Sequence, residues 1–211
     1  MCGALTYRQS NYNFADLLPL GEDDVTALRA PSADIRPTMV VPVVHNMDDE
    51  SRLLEFLHWG RQTPRLPKPL INARAETIDE KITFKTAFED RRCIVAADGW
   101  YEWVDVGKPK KQRVFFEFPD SRVFYLAAIK GSGYQKIPNQ AKWEQTQAVI
   151  IITTGAGKAV TDSGHHRQPV LLDTANAKLW LDRHYQGAKQ LLDTKNYECL
   201  TIRVVDGPIV I

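Results

Sequence analysis

The chain has 211 residues, with 27 Lys+Arg against 26 Asp+Glu, 44% apolar and 25% charged residues. That size fits one domain spanning residues 1–211, and the composition can bury enough apolar surface to exclude a disordered chain. A net charge of +1 gives no global pull on nucleic acid or anionic lipid, so any polyanion site must be a local patch. Cys2, Cys93 and Cys199 form no CxxC pair, which implies neither a disulfide framework nor a zinc knuckle. The first residues lack a basic segment followed by an apolar one, and no stretch reaches the roughly 18 apolar residues of a membrane span. The expectation is a cytoplasmic protein in a reducing compartment, with no membrane partner.

Along the chain, apolar runs rich in β-branched and aromatic residues predict strands, and turn signals separate them. The first is Met39–Val44. A short helix is expected over Thr83–Phe88, then a strand at Cys93–Ala97 and a turn at Asp98-Gly99-Trp100-Tyr101-Glu102-Trp103. Strands follow at Val114–Phe118, Val123–Ile129 and Ala148–Thr153. Thr174–Tyr185 reads as the best helix, with Asp173 as N-cap and Leu179, Trp180 and Tyr185 among its apolar residues. Ala188–Leu192 reads as a short helix and Leu200–Val205 as the last strand. The sum is a single α+β domain with a mostly antiparallel, barrel-like β core and a few short helices.

Two segments depart from the average. Arg61, Arg65, Lys68 and Arg74 fall between Trp59 and Ala75 with no acid among them, and Lys108 to Arg113 adds four cations. Their prolines predict extended loops. As solvated loops they need no function. Beside Trp59, Trp100 and Trp103 they also suit a single-stranded nucleic acid, with phosphates on cations and bases on rings.

Cys2 is the most informative position. Removal of Met1 would leave a thiol and a free α-amine on adjacent carbons, both partly deprotonated near neutral pH. Such a pair can attack a carbonyl as an N-terminal nucleophile, or condense with an aldehyde to an imine that the thiol closes into a thiazolidine. It can equally be an incidental terminal cysteine. In the expected turn, Glu102 would lie between two tryptophans, whose low dielectric raises a carboxyl pKa toward the range useful for proton transfer. His165 and His166 sit in a loop after Ala148–Thr153, where an imidazole can protonate a leaving oxygen. Spacing alone does not bring Cys2, Glu102 and His165 together.

Met1-Cys2-Gly3, Trp59-Gly60, Pro69-Leu70-Ile71-Asn72-Ala73-Arg74-Ala75-Glu76-Thr77, Ala97-Asp98-Gly99-Trp100-Tyr101-Glu102-Trp103, Thr154 and His165-His166-Arg167-Gln168-Pro169 occur in that order. In these pieces the chain resembles the SOS-response-associated peptidase family, proteins that shield abasic sites in single-stranded DNA. The resemblance implies a barrel-like fold, a monomer, no metal or organic cofactor, and a thiazolidine crosslink between Cys2 and the abasic aldehyde. It implies that Asn72 holds the Cys2 end and the opened sugar. Glu102 would shuttle protons at the Cys2 amine and trim Met1, and His165 would donate a proton to the ring oxygen. Arg74 and Arg167 would bind flanking phosphates, Trp103 and Thr154 would line the strand's path, and Arg65 and Lys68 would add DNA contacts. The spacing His-x-Arg favours His165 over His166.

Three departures from the family's pattern bear on affinity. Ala4 stands where Arg commonly follows Cys-Gly, and Arg61–Lys68 lacks the aromatic pair that wedges between bases. Ile35-Arg36-Pro37-Thr38 only loosely matches the family's Asn-x-Ala-Pro stretch. Stacking is worth about 1–3 kcal/mol per base, so DNA binding is expected to be weaker and more salt-sensitive than in a typical member. Two other classes remain open: a cysteine N-terminal-nucleophile hydrolase acting on an amide, and a non-covalent single-strand binder.

Overall fold

A computed structural model describes residues 2–8, 17, 32–47, 51–105, 107, 109–136, 142–193 and 200–205. Met1 and Cys199 lie outside the described residues; Cys93 is buried. The strands are β1 (Ala4–Tyr7), β2 (Ser32–Ile35), β3 (Val40–Asn46), β4 (Arg52–Trp59), β5 (Asn72–Arg74), β6 (Arg92–Ala97) and β7 (Gly99–Val104). They continue as β8 (Gln112–Glu117), β9 (Phe124–Lys136), β10 (Trp143–Gly155), β11 (Arg167–Pro169), β12 (Leu171–Leu172) and β13 (Thr201–Val205). The α-helices are α1 (Lys85–Asp90), α2 (Lys158–Asp162) and α3 (Thr174–Leu181), with 3₁₀ turns at Ala75–Thr77 and Gln190–Leu192.

Strand pairing closes a ring. β3 pairs with β4 and β6, β6 with β9, β9 with β10, and β10 returns to β4. Four of these contacts are antiparallel and β4–β10 is parallel. Closure leaves no open edge among the five strands. A second sheet runs β13-β8-β7-β1-β2. The strand-rich, barrel-like α+β architecture expected from the sequence is the observed one.

The strands with clear sequence signals are those apolar on both faces. Every residue of β6 is buried, because α3 covers the outside of the barrel wall: Trp180 Nε1 donates to Cys93 O at 2.9 Å, and Arg92 Nε donates to Trp180 O at 2.8 Å. β9 and β10 each run 13 residues, longer than the apolar runs Val123–Ile129 and Ala148–Thr153. Their outer ends pair as a largely exposed hairpin, Gln145 opposite Tyr134, so apolarity stops where the barrel stops and the pairing does not. Asp173 caps α3 as expected, its Oδ1 accepting from Asn176 N at 2.8 Å. The helix ends at Leu181 rather than Tyr185, because Asp182 turns extended and its Oδ1 accepts from His184 N at 2.9 Å. Leu179 is exposed, and Trp180 alone of the three named apolar residues is fully buried.

The expected turn at Asp98–Trp103 is strand β7. It packs Gly99 so tightly that a Cβ there would lie 2.3 Å from the Phe115 ring and 2.7 Å from Thr6 Oγ1. That close approach seats β1 on β7 in the register Ala4 to Tyr101, Leu5 to Trp100 and Thr6 to Gly99. Asp98, fully buried, pins the same strand: it accepts from Thr6 Oγ1 at 2.5 Å, from Arg8 N at 2.6 Å and from Arg8 Nε at 3.2 Å. Removing one partner of a buried charged network strands the others. Asp98→Ala is expected to lower the unfolding free energy by about 3 kcal/mol, read as a fall in the urea midpoint. The exposed Asp120→Ala should stay within about 0.5 kcal/mol of the parent. Equal midpoints for the two variants would show that Asp98 does not anchor β1.

Candidate active site at the N-terminus

Cys2 lies one residue, Gly3, ahead of β1 and is fully buried in the main core. Its Sγ lies 3.9 Å from Ala4 O. Burial, and next the charge of Glu102, push the thiol well above its ordinary value, so at neutral pH it is held as SH. Asn72 opens β5, which pairs in parallel with β10, Asn72 against Ile151. From there its Nδ2 donates to Cys2 O at 3.0 Å, across 70 residues of sequence. Its Oδ1 is buried and has no hydrogen-bond partner among the described residues.

Alternation along β7 explains the burial of Glu102. Trp100, Glu102 and Val104 share one face; Trp100 and Val104 belong to the main core. Tyr101 and Trp103 take the other face, in a small cluster with Ala4 and Phe115. Glu102 is therefore not sandwiched between two tryptophans, a correction that follows from the strand's period of two. Its carboxyl is nonetheless pushed up to about 7, with burial as the cause.

Gly164 delivers the histidine. Its φ of +91° suits only glycine comfortably, and a Cβ there would lie 2.8 Å from Val104 Cγ1. The loop can therefore press against β7, placing His165 Nε2 3.4 Å from Glu102 Oε2. His165 Nδ1 lies 2.7 Å from Arg167 O. A carbonyl only accepts, so that contact puts a proton on Nδ1 and turns Nε2 toward the carboxyl. Burial pushes the imidazole below its ordinary value. A raised carboxyl beside a lowered imidazole brings the two groups' affinities for a proton closer together. The neighbouring His166 is exposed.

The candidates for DNA contact divide. Arg74 ends β5 and is exposed, and Arg65 and Lys68 are exposed in the loop before it. Thr154 is buried in β10 opposite Gln168 of β11. Arg167 begins β11 and is taken by an ion pair with Glu76, discussed below. Trp103 is half-buried on the outer face of the second sheet, next to Tyr101, over whose ring Arg113 sits at 5.0 Å. Ala4 is buried against Tyr101 and Phe115 on that face. Arg61, by contrast, lines a cavity of about 400 Å³ together with Arg91 and Lys130. Among the described residues no three His, Cys, Asp or Glu side chains form a metal-holding group, and no helix is long and apolar enough to cross a membrane.

Sequence reasoning passed over Glu76 and Asp98 as side chains with work to do. Both lie inside motifs quoted above. The available signal for Glu76 was that it is the first acid after the cationic run Arg61–Arg74.

Compared with known proteins, the profile of the SOS response associated peptidase (SRAP) family matches residues 1–209. The chain belongs to the SRAP family. Among curated SRAP relatives, it is 30% identical over 193 residues to the abasic site processing protein YoqW of Bacillus subtilis, covering 86% of this chain and 80% of that one. It is 28% identical over 191 residues to the abasic site processing protein YedK of Escherichia coli, covering 89% and 82%. In fold it superposes on a phage-related protein from Bordetella bronchiseptica with a TM-score of 0.73 at 23% identity, covering 98% and 95%.

In this SRAP chain the folded Glu102 carboxyl titrates near 7, whereas an unfolded one titrates at about 4.3. Between those values the folded state holds more protons, so stability falls as pH rises through the window. Glu102→Gln removes that titration, while His165, whose lowered pKa acts in the opposite direction, is common to both proteins. The parent is expected to lose up to about 3 kcal/mol relative to Glu102→Gln between about pH 4 and pH 8, measured by urea unfolding across that range. Parallel stability curves would mean that the carboxyl is solvated.

Proposed function

We propose that this chain captures abasic sites in single-stranded DNA through a covalent thiazolidine formed by Cys2 after loss of Met1. The observation that carries the reading is the convergence of Cys2, Asn72, Glu102 and His165 from four separate parts of the chain on one buried site. The SRAP membership and the names of its relatives support the lesion as substrate.

The chemistry follows from the protonation states. The freed α-amine of Cys2 adds to the aldehyde carbon of the ring-opened sugar, and water leaves to give an imine. Sγ then adds to the imine carbon and closes the ring, and the thiol proton ends on nitrogen. Because burial holds Cys2 as SH, sulfur needs a base at the moment of attack. Glu102, titrating near 7, is ionised often enough to take that proton and protonated often enough to return it to nitrogen. The proton that the Glu102 carboxyl holds passes through His165 Nε2 to the ring oxygen as the sugar opens. Asn72 fixes the Cys2 carbonyl through Nδ2, and its Oδ1, which has no hydrogen-bond partner among the described residues, accepts from the amine or a sugar hydroxyl. Glu102 is also the residue we assign to trimming Met1. Arg74, Arg65, Lys68 and Arg167 meet phosphates, Thr154 borders the strand's path, and Trp103 offers a stacking surface outside the buried site. All these groups come from one chain, so a monomer suffices.

Intact-mass spectrometry tests the reading. The purified protein is expected to lack Met1 and, after incubation with single-stranded DNA holding one abasic site, to gain the mass of the whole oligonucleotide less one water. Cys2→Ala should gain nothing, Glu102→Gln should retain Met1 and gain nothing, and His165→Ala should slow the gain by at least about tenfold. In the parent, retained Met1, or a free Cys2 that gains no mass, would overturn covalent capture and leave an amide hydrolase or a plain binder.

A further inference from the structure

Glu76 grips Arg167 through both carboxylate oxygens, Nη1 to Oε1 at 2.5 Å and Nη2 to Oε2 at 3.0 Å. The other Nη2 hydrogen faces Thr153, 2.7 Å from its carbonyl and 3.2 Å from its hydroxyl. Arg167 Nε is buried without a hydrogen-bond partner among the described residues. A guanidinium has five N–H groups in a rigid fork. Here its end-on fork is filled by a carboxylate, and only one Nη1 hydrogen remains both uncommitted and outside the buried side. A phosphodiester would use the same end-on fork, since carboxylate and phosphate both match it with two oxygens. The two anions cannot share it.

Which of the pair would yield is also visible. The Glu76 side chain is 49% exposed and the Arg167 side chain 21% exposed, and Thr153 holds the guanidinium from behind. Glu76 is the middle residue of a 3₁₀ turn that follows Arg74 at the end of β5, and both Arg167 and Arg74 act on its charge. An acid placed between the two arginines assigned to phosphates sits where a phosphate would sit.

We propose that Glu76 is an internal competitor for DNA phosphate on Arg167 and thereby sets the preference for lesion-bearing over intact single strands. The proposal rests on the function proposed above. An intact strand offers only its backbone and must displace Glu76 for one ion pair exchanged against another. An abasic strand displaces it too, and is then retained by the bond to Cys2. Glu76 thus lowers affinity for ordinary DNA without touching the reacting atoms.

The test uses the full chain carrying Cys2→Ala, so that binding is read without crosslinking, and an intact single-stranded oligonucleotide followed by fluorescence anisotropy. Adding Glu76→Gln is expected to tighten binding roughly threefold to tenfold. It should also steepen the slope of log K against log salt by about 0.7, because Arg167 would then meet a phosphate as an unneutralised cation. In the Cys2-containing protein the same change should let intact competitor DNA slow capture of abasic DNA by the same factor. Thermal melting checks that each variant folds, and Glu76→Asp, which keeps the charge on a shorter stem, should fall between parent and Glu76→Gln. Weaker or unchanged binding in Glu76→Gln would overturn the proposal, since Glu76 would then be orienting Arg167 or be irrelevant to it. Arg167→Gln separates the two layers of the argument. If it weakens binding while Glu76→Gln does not tighten it, only the competitor role fails. If it leaves binding unchanged, Arg167 holds no phosphate, and both the competitor role and that part of the proposed function fall.

Discussion

The position of the N-terminus governs this protein. A terminal residue is ordinarily frayed, because few contacts oppose its conformational entropy. Here β1 lies inside a sheet, between β2 and β7, and a buried carboxylate, Asp98, ties Thr6 and the Arg8 backbone to the β6–β7 junction. Arg8 extends the tie to Glu117 of β8 at 2.5 Å, and Arg203 of β13 reaches the same carboxylate. The result is a strand whose first side chains are fixed as firmly as core residues. Cys2 can be fully buried only because the four residues after it have no freedom.

That burial then supplies the electrostatics. A thiol, a carboxyl and an imidazole, each taken from water, all shift toward their neutral forms. Glu102 and His165, 3.4 Å apart, can pass a proton between them without creating a buried charge far from a partner, which isolated ionised groups in the same place could not do. The tryptophans of β7 are not the agents. Trp100 packs on Phe116 with ring centroids 4.9 Å apart, on the barrel side, and helps exclude water from the face that Glu102 shares. Trp103 stands on the far face. The dielectric argument holds, but the barrel wall as a whole produces the effect, not a pair of flanking rings.

This distinction shows how much was legible in the sequence. β6 and the inner halves of β9 and β10 announce themselves because both of their faces are covered, so apolar residues run without interruption. β4 is hidden: Leu53 and Phe56 are exposed while Leu54, Leu57 and Trp59 are buried, which spoils alternation. β5 has three residues and one of them is Arg, so nothing local marks it as a strand; its parallel partner β10 makes it one. β7 reads as a turn because Asp-Gly precedes it, yet that Gly serves a close approach to Phe115 instead. The site residues were visible as chemical types through motif resemblance. Their meeting was not, because Cys2 and Asn72 touch across 70 positions and the Glu102–His165 contact depends on a glycine with positive φ in a loop.

The cations proposed to meet phosphate obey a different physics from the buried site. They are exposed on loops and strand ends, where water and salt screen them, so each contributes little and none is specific for a lesion. Arg167 is the exception, because Thr153 and Glu76 hold it in one geometry. A fixed guanidinium is a better phosphate ligand than a free one, since its side-chain entropy has already been lost. A fixed guanidinium that is also neutralised is a poor one until the neutralising acid leaves. On the proposed competitor role of Glu76, rigidity and weak attraction for intact DNA would come from the same ion pair. If, as proposed, the grip on the target comes from a covalent bond, weak attraction to everything else is the physically economical arrangement, because selectivity then resides in the aldehyde, which only the lesion carries.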